Sequence, residues 1–149
     1  MVIDALLAVA ALLLLAPAGI ALAASPIGRP TVYGASLALS LVLVVAGVVS
    51  LSGHHESAAT LPFGLPWLGA HFRIDALTAF FLIVVNLGSA AASLFAFGYS
   101  KHEKFPGRVL PFYPAYLAAM NLVVLAADAF SFLVAWEFAR LLGRGRRPP

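Results

Sequence analysis

Cysteine is absent from the chain, and its absence excludes a disulfide framework, a thiolate zinc site and a cysteine-ligated iron–sulfur cluster. Charge is scarce too: Asp, Glu, Lys and Arg make up 10% of the 149 residues, whereas a soluble domain carries about a quarter. What fills the sequence is apolar, 62% by residue count, with a mean hydropathy of +1.00. This is the composition of a membrane protein. Since each crossing takes about 20 apolar residues, there is room for about four to six spans and little besides. The net charge of +3 does not argue for nucleic acid, because four of the nine basic residues cluster in the last ten positions, where they report topology.

The stretch from Ala5 to Gly28 is uncharged, and its Ala5–Ala24 core is long enough to span, with Pro17 and Gly19 near its end. Ala21-Leu22-Ala23 has the form of a signal-peptide cleavage site, but Asp4 and the lack of any Lys or Arg before the apolar run favour a membrane anchor. Gly28, Arg29 and Pro30 predict a turn, and Thr31 to Gly53 predicts a second helix. His54 and His55 follow; adjacent residues do not converge on one ion, so no metal site is expected there. Leu61 to His71, broken by glycine and proline, reads as an interfacial segment with Trp67 at headgroup level.

Asp75 is placed to cap a third helix, uncharged from Ala76 to Ser100. Within it, Gly88 and Ala92 form a small-xxx-small pair expected to admit a neighbouring backbone. Asn86 needs either a hydrogen-bond partner across helices or a water-filled path. A basic loop, Tyr99 to Arg108, precedes a fourth uncharged run, Val109 to Ala127, which carries Asn121 with the same two readings. The last apolar stretch, Ala129 to Leu142, contains Glu137 and Arg140. One helix from Val109 to Leu142 would be about 50 Å long, far beyond a core of roughly 30 Å, so a turn is expected at Asp128. The prediction is an all-α transmembrane bundle of about five spans over residues 1–142, followed by a disordered basic tail, 143–149. With that count, Arg73 alone among the basic residues falls on one side; the positive-inside rule then puts the N-terminus outside and the C-terminus in the cytoplasm.

Glu137 stands out because a charged residue in the middle of a membrane helix costs roughly 2.5–3.5 kcal/mol on insertion scales. Lying nine residues after Asp128, it falls about 13 Å into the core. Desolvation favours the protonated form of an isolated carboxylate there, which suits a proton-carrying group. Against that stands Arg140, three residues on along the same helix face, which could simply hold the carboxylate as an ion pair. Spacing leaves the two readings open.

The segments FRIDALTAFFLIVVNL (72–87) and MNLVVLAADAFSFLVAWEF (120–138) resemble the antiporter-like, proton-translocating membrane subunits of respiratory complex I and of group 4 hydrogenases, those of hydrogenase-4 and formate hydrogenlyase above all. The most specific piece is D-x-x-x-F-x-x-x-W-E at Asp128, Phe132, Trp136 and Glu137. That resemblance implies that Glu137 is the intramembrane carboxylate of a proton path, paired with a lysine on a later helix, while Asp75 holds a structural position. Apart from what that resemblance implies, Asp128, Asn86, Asn121 and Arg140 are candidate supporting polar groups by their placement. The resemblance also implies partner subunits, membrane and peripheral, that carry the redox chemistry of an inner-membrane complex, so that this chain is not catalytic alone and holds no cofactor or metal. The sequence leaves the family pattern after Glu137, where FARLLGRGRRPP resembles an altered reading frame and suggests a truncated N-terminal fragment. The alternative is a small structural membrane protein or assembly module whose basic tail meets anionic lipid.

Overall fold

A computed structural model of the chain describes residues 1–53, 56–62, 69–99 and 109–144. His54 and His55, Trp67, the basic loop up to Arg108 and residues 145–149 lie outside the described residues. Among those described, five helices and one hairpin follow in the order α1 (Val2–Leu22), α2 (Gly28–Gly53), β1 (Ser57–Leu61), β2 (Ala70–Ile74), α3 (Ala76–Tyr99), α4 (Phe112–Leu125) and α5 (Ala129–Arg144). The all-α class holds. Among the described residues, α1, α2 and α3 are long and apolar enough to cross a membrane. α4, with 14 residues, is about 21 Å long, and α5, with 16, about 24 Å. Both are shorter than a full span of about 30 Å, so length alone supports three of the five expected crossings.

Packing is arranged for lipid. Small residues, among them Ala5, Ala8, Ala79, Ala90, Ala118 and Ser93, share the interior with Leu12, Leu43, Leu82 and Leu125, while Leu7, Leu14, Ile20, Val45, Leu94 and Phe95 point outward. Small residues at the contacts allow close backbone approach, and in hydrocarbon van der Waals packing holds helices together. α2 and α3 pack along most of their lengths, α1 lies against α4 and α2, and α5 lies against α4.

The α2–α3 contact has a heptad spacing. On α2 the stripe Tyr33, Ser36, Ser40, Leu43, Gly47 and Ser50 is buried, and on α3 the stripe Ala79, Leu82, Asn86, Ser89 and Ser93. Gly47 is the point of closest approach: a Cβ there would stand 2.7 Å from Ile83 Cγ1 and 3.0 Å from the Ala79 carbonyl oxygen. The expected close-packing pair, Gly88 with Ala92, is instead on the outward face, and a Cβ at Gly88 meets nothing within 4 Å. The heptad stripe of α3 takes Asn86, Ser89 and Ser93 inward and so turns Gly88 away.

Four boundaries differ from the sequence reading. Gly28, Arg29 and Pro30 form the first turn of α2 rather than a loop, since proline lacks only an N–H that has no helical partner there. The connection from α1 lies one step earlier, where the Ser25 hydroxyl accepts from the Ile27 N–H at 3.3 Å. The Leu61–His71 segment is not purely interfacial: both its ends belong to an antiparallel hairpin running from Ser57 opposite Ile74 to Leu61 opposite Ala70. Gly69 enters β2 at φ 65°, a conformation that L side chains rarely adopt. Finally, α4 stops at Leu125, because Ala126 turns extended and pairs with Phe72 while the Ala127 N–H donates to the His71 carbonyl at 2.9 Å. At its other end α5 runs past Leu142 to Arg144, so the predicted tail begins inside a helix.

The two glycines of the helix pair give a direct test. Gly47→Val should lower stability by about 1–3 kcal/mol through overpacking, whereas Gly88→Val should stay within about 0.5 kcal/mol of the parent. Thermal unfolding in detergent micelles, followed by circular dichroism, reads both; equal effects would mean that α2 and α3 do not meet at Gly47.

Candidate functional site

At the hairpin end of the bundle, two carboxylates organise the backbone. Asp75 accepts the Thr78 N–H at 2.8 Å, which is the expected cap of α3, and Arg73 lies 3.0 Å away. Asp128 does more: its Oδ1 accepts the Ser131 N–H at 2.8 Å, and its Oδ2 accepts the Ser131 hydroxyl at 2.7 Å and the His71 N–H at 2.9 Å. One side chain thereby starts α5 and ties β2 to the α4–α5 corner. His71, expected in a loop, is a strand residue, and its ring Nδ1 stands 3.7 Å from Asp128 Oδ2. The backbone N–H and hydroxyl of Ser131, followed by the His71 N–H, hold the Asp128 carboxyl down to about 2. Asp75 is held below the ordinary carboxylate range chiefly by the Thr78 N–H, with Arg73 adding to it.

Deep in the bundle, Asn86 of α3 and Asn121 of α4 face each other with no exposure. Asn86 Nδ2 donates to Asn121 Oδ1 at 2.6 Å, and Asn121 Nδ2 donates back to Asn86 Oδ1 at 3.3 Å. Each amide also donates to the carbonyl one turn earlier, Leu82 and Leu117, both at 2.9 Å. Of the two readings left open for these residues, the direct partner across helices is the one found. Further along α3, the Ser93 hydroxyl lies 2.7 Å from the Tyr113 hydroxyl of α4, a contact that the sequence reading did not foresee.

Glu137 and Arg140 sit elsewhere, on the outward side of α5. Arg140 donates to Glu137 Oε2 through Nη2 at 2.8 Å and through Nε at 3.0 Å, with the Arg140 and Glu137 side chains 46% and 52% exposed, respectively. Two grooves flank the helix. One, of about 290 Å3, runs between Phe72, Leu122, Phe130, Val134 and Phe138; the other, of about 350 Å3, lies beside Tyr116, Met120, Trp136 and Arg140. Phe132 stacks on Trp136 with centroids 6.2 Å apart. The structure thus joins Glu137 to Arg140 and Asn86 to Asn121 but leaves the first pair half exposed on α5 and the second buried between α3 and α4. Among the described residues no group of three His, Asp or Glu is positioned to hold a metal. What the arrangement offers chemically is a carboxylate with one cationic partner and an open side.

Acid should weaken the corner first. Because the Asp75 and Asp128 carboxyls are depressed on folding, their stabilisation is full above the ordinary value of 3.8 and is lost as the pH falls through each folded value, which for Asp128 is about 2. Asp128→Ala should cost about 1–2 kcal/mol at neutral pH, as loss of a cap does, and should flatten that acid limb; a pH series of unfolding midpoints for both proteins checks it. For the amide pair, Asn86→Leu should cost about 0.6–2 kcal/mol by stranding Asn121, and Asn86→Leu/Asn121→Leu should recover part of the loss. A double variant no more stable than the single one would show that the pair is not coupled.

No family model matches the chain. The chain is similar to two uncharacterized proteins of Mycobacterium tuberculosis, one from strain CDC 1551 / Oshkosh and one from strain ATCC 25618 / H37Rv, each 36% identical over 97 residues. The match takes in 62% of this chain and 15% of each relative. This chain therefore resembles one part of much longer proteins and spans about 15% of the length of the curated relatives it matches.

Proposed function

We propose that this chain is a membrane subunit of an ion-pumping oxidoreductase complex of the hydrogenase-4 or complex I type, contributing to proton translocation as the N-terminal helices of an antiporter-like subunit. The observation that carries the proposal is Glu137: one carboxylate in an apolar helix, with an open side, on a helix whose start is capped by Asp128 and whose Phe132 and Trp136 complete the D-x-x-x-F-x-x-x-W-E pattern. The open side and the two flanking grooves are where later helices would pack and bring Glu137 its basic partner. Redox groups belong to partner subunits. The protein sits in the inner membrane with its N-terminus outside and its C-terminus in the cytoplasm, as the distribution of Lys and Arg favours.

A second reading rests on a different feature. The Arg140–Glu137 contact, two donors on one carboxylate oxygen, is made within one helix turn, and a structural module of no transport role would need nothing more. The two readings part on Glu137→Gln in the assembled complex: a proton path loses most proton uptake per electron while retaining electron transfer, and a structural module loses neither. By itself the chain is expected to move no protons, since Arg140 stays protonated and one carboxylate has no relay across about 30 Å. Proteoliposomes containing only this chain should match empty vesicles under an imposed pH gradient.

A further inference from the structure

The hydroxyls of Ser36 and Ser40 on α2 are fully buried and have no hydrogen-bond partner among the described residues. In a bundle surrounded by hydrocarbon this is costly, about 1–3 kcal/mol for each stranded group. A serine in a helix has a ready way out, which is to donate to the carbonyl one turn earlier. α3 uses it twice: Ser89 donates to the Val85 carbonyl at 2.9 Å and Ser93 to the Ser89 carbonyl at 2.8 Å. Ser36 and Ser40 do not, although their helix continues regularly through both turns.

The layering of α2 on α3 fixes what they face. Gly47 lies against Ala79 and Ile83 at one end of the contact. At the other, the Tyr33 ring packs edge-on against Tyr113, the partner of Ser93, with centroids 5.2 Å apart. Between those anchors the antiparallel heptads bring Ser40 level with Asn86 and Ser89, and Ser36 level with Ser89 and Ser93. Small or polar side chains therefore meet from α2, α3 and α4 over about 10 Å of the bundle axis, the rise from Asn86 to Ser93. Beyond the asparagines, toward the hairpin, the contact closes with the buried apolar groups Leu43, Leu82 and Leu125, while Leu12 and Leu117 border the seam itself.

We infer that this seam is a water site: ordered water bridges Ser36 and Ser40 to the hydroxyls and carbonyls of α3 and α4, from the Ser93–Tyr113 pair as far as the Asn86–Asn121 pair. Water is the ligand that the lining selects. It has hydroxyls and amides but no carboxylate or cation, and a buried water takes two to four such partners. The seam involves neither Glu137 nor Arg140, so it stands independently of the function proposed above. It places a polar pocket in the middle of the bundle, closed toward the hairpin by Leu43, Leu82 and Leu125 and at the other end by Val32, Tyr33 and Leu110.

The full chain in lipid nanodiscs, with cross-relaxation between water and backbone amides measured by NMR, tests the inference. Amides at Ser36, Ser40, Ser89 and Ser93 should show cross-peaks at the water frequency that lipid-facing Val45 and Leu94 lack. Ser36→Ala/Ser40→Ala should lose them and unfold at a lower temperature. Absence of the cross-peaks in the parent chain overturns the site, whether or not the variant folds. So does an alanine variant of equal or higher unfolding temperature, the result expected if the two hydroxyls are merely stranded or donate to their own helix.

Discussion

Hydrocarbon offers no hydrogen bonds, and that constraint decides where every polar group of this protein is placed. Helices satisfy their own backbones, so the difficulty falls on the side chains and on the places where helices stop. Asn86 and Asn121 solve it with each other and with their own carbonyls. Ser89 and Ser93 solve it within α3. At the corner after α4 the backbone itself is exposed to the problem, and the answer is a borrowed strand: Ala126 and Ala127 pair with β2, and Asp128 takes up the free N–H groups of α5 and of His71. The hairpin is thus more than a connection between α2 and α3. It supplies the hydrogen-bonding edge that lets α4 end and α5 begin without a long loop.

The parts of this arrangement that were legible in the sequence are those that depend on runs and on single local rules. Long uncharged segments gave the helices, because about 20 apolar residues in succession have few other uses. Asp75 announced its cap by standing one residue ahead of an apolar run, and the turn at Asp128 followed from length alone. The hairpin was hidden for a different reason. Its second strand, Ala70–Ile74, alternates inward Phe72 and Ile74 with outward Arg73, but five residues of period two carry little weight beside a glycine- and proline-rich neighbourhood. Its pairing partner, Ser57–Leu61, is made of small residues with no strand signature at all.

The small-residue pairing failed instructively. Gly88 and Ala92 fit the motif by spacing, yet spacing does not say which face of a helix is inside. The heptad from Ala79 to Ser93 does say so, and it was present in the sequence as a row of alanine, leucine, asparagine and serine among larger apolar residues. In a soluble helix the buried stripe is the apolar one; here every face is apolar, and the buried stripe is marked by small and weakly polar residues instead. Read by that rule, α2 would have yielded Tyr33, Ser36, Ser40 and Gly47 as its inward face.

The same rule bears on Glu137. If polarity marks the inside of a membrane bundle, α5 breaks the pattern, because its charged pair is about half exposed while Ala135 and Ala139 of the same helix are buried. An arginine donating twice to one carboxylate oxygen reduces the cost of that position without removing it, since both groups keep donors and acceptors that this contact does not fill. Either α5 lies at a depth where water and headgroups reach Glu137, or another helix covers it. Its length of about 24 Å and its aromatic and leucine side chains on both flanks fit a helix built to be enclosed. With a covering helix, the outward face of α5 becomes an interior one, and the rule that orders α2, α3 and α4 holds for the fifth helix as well.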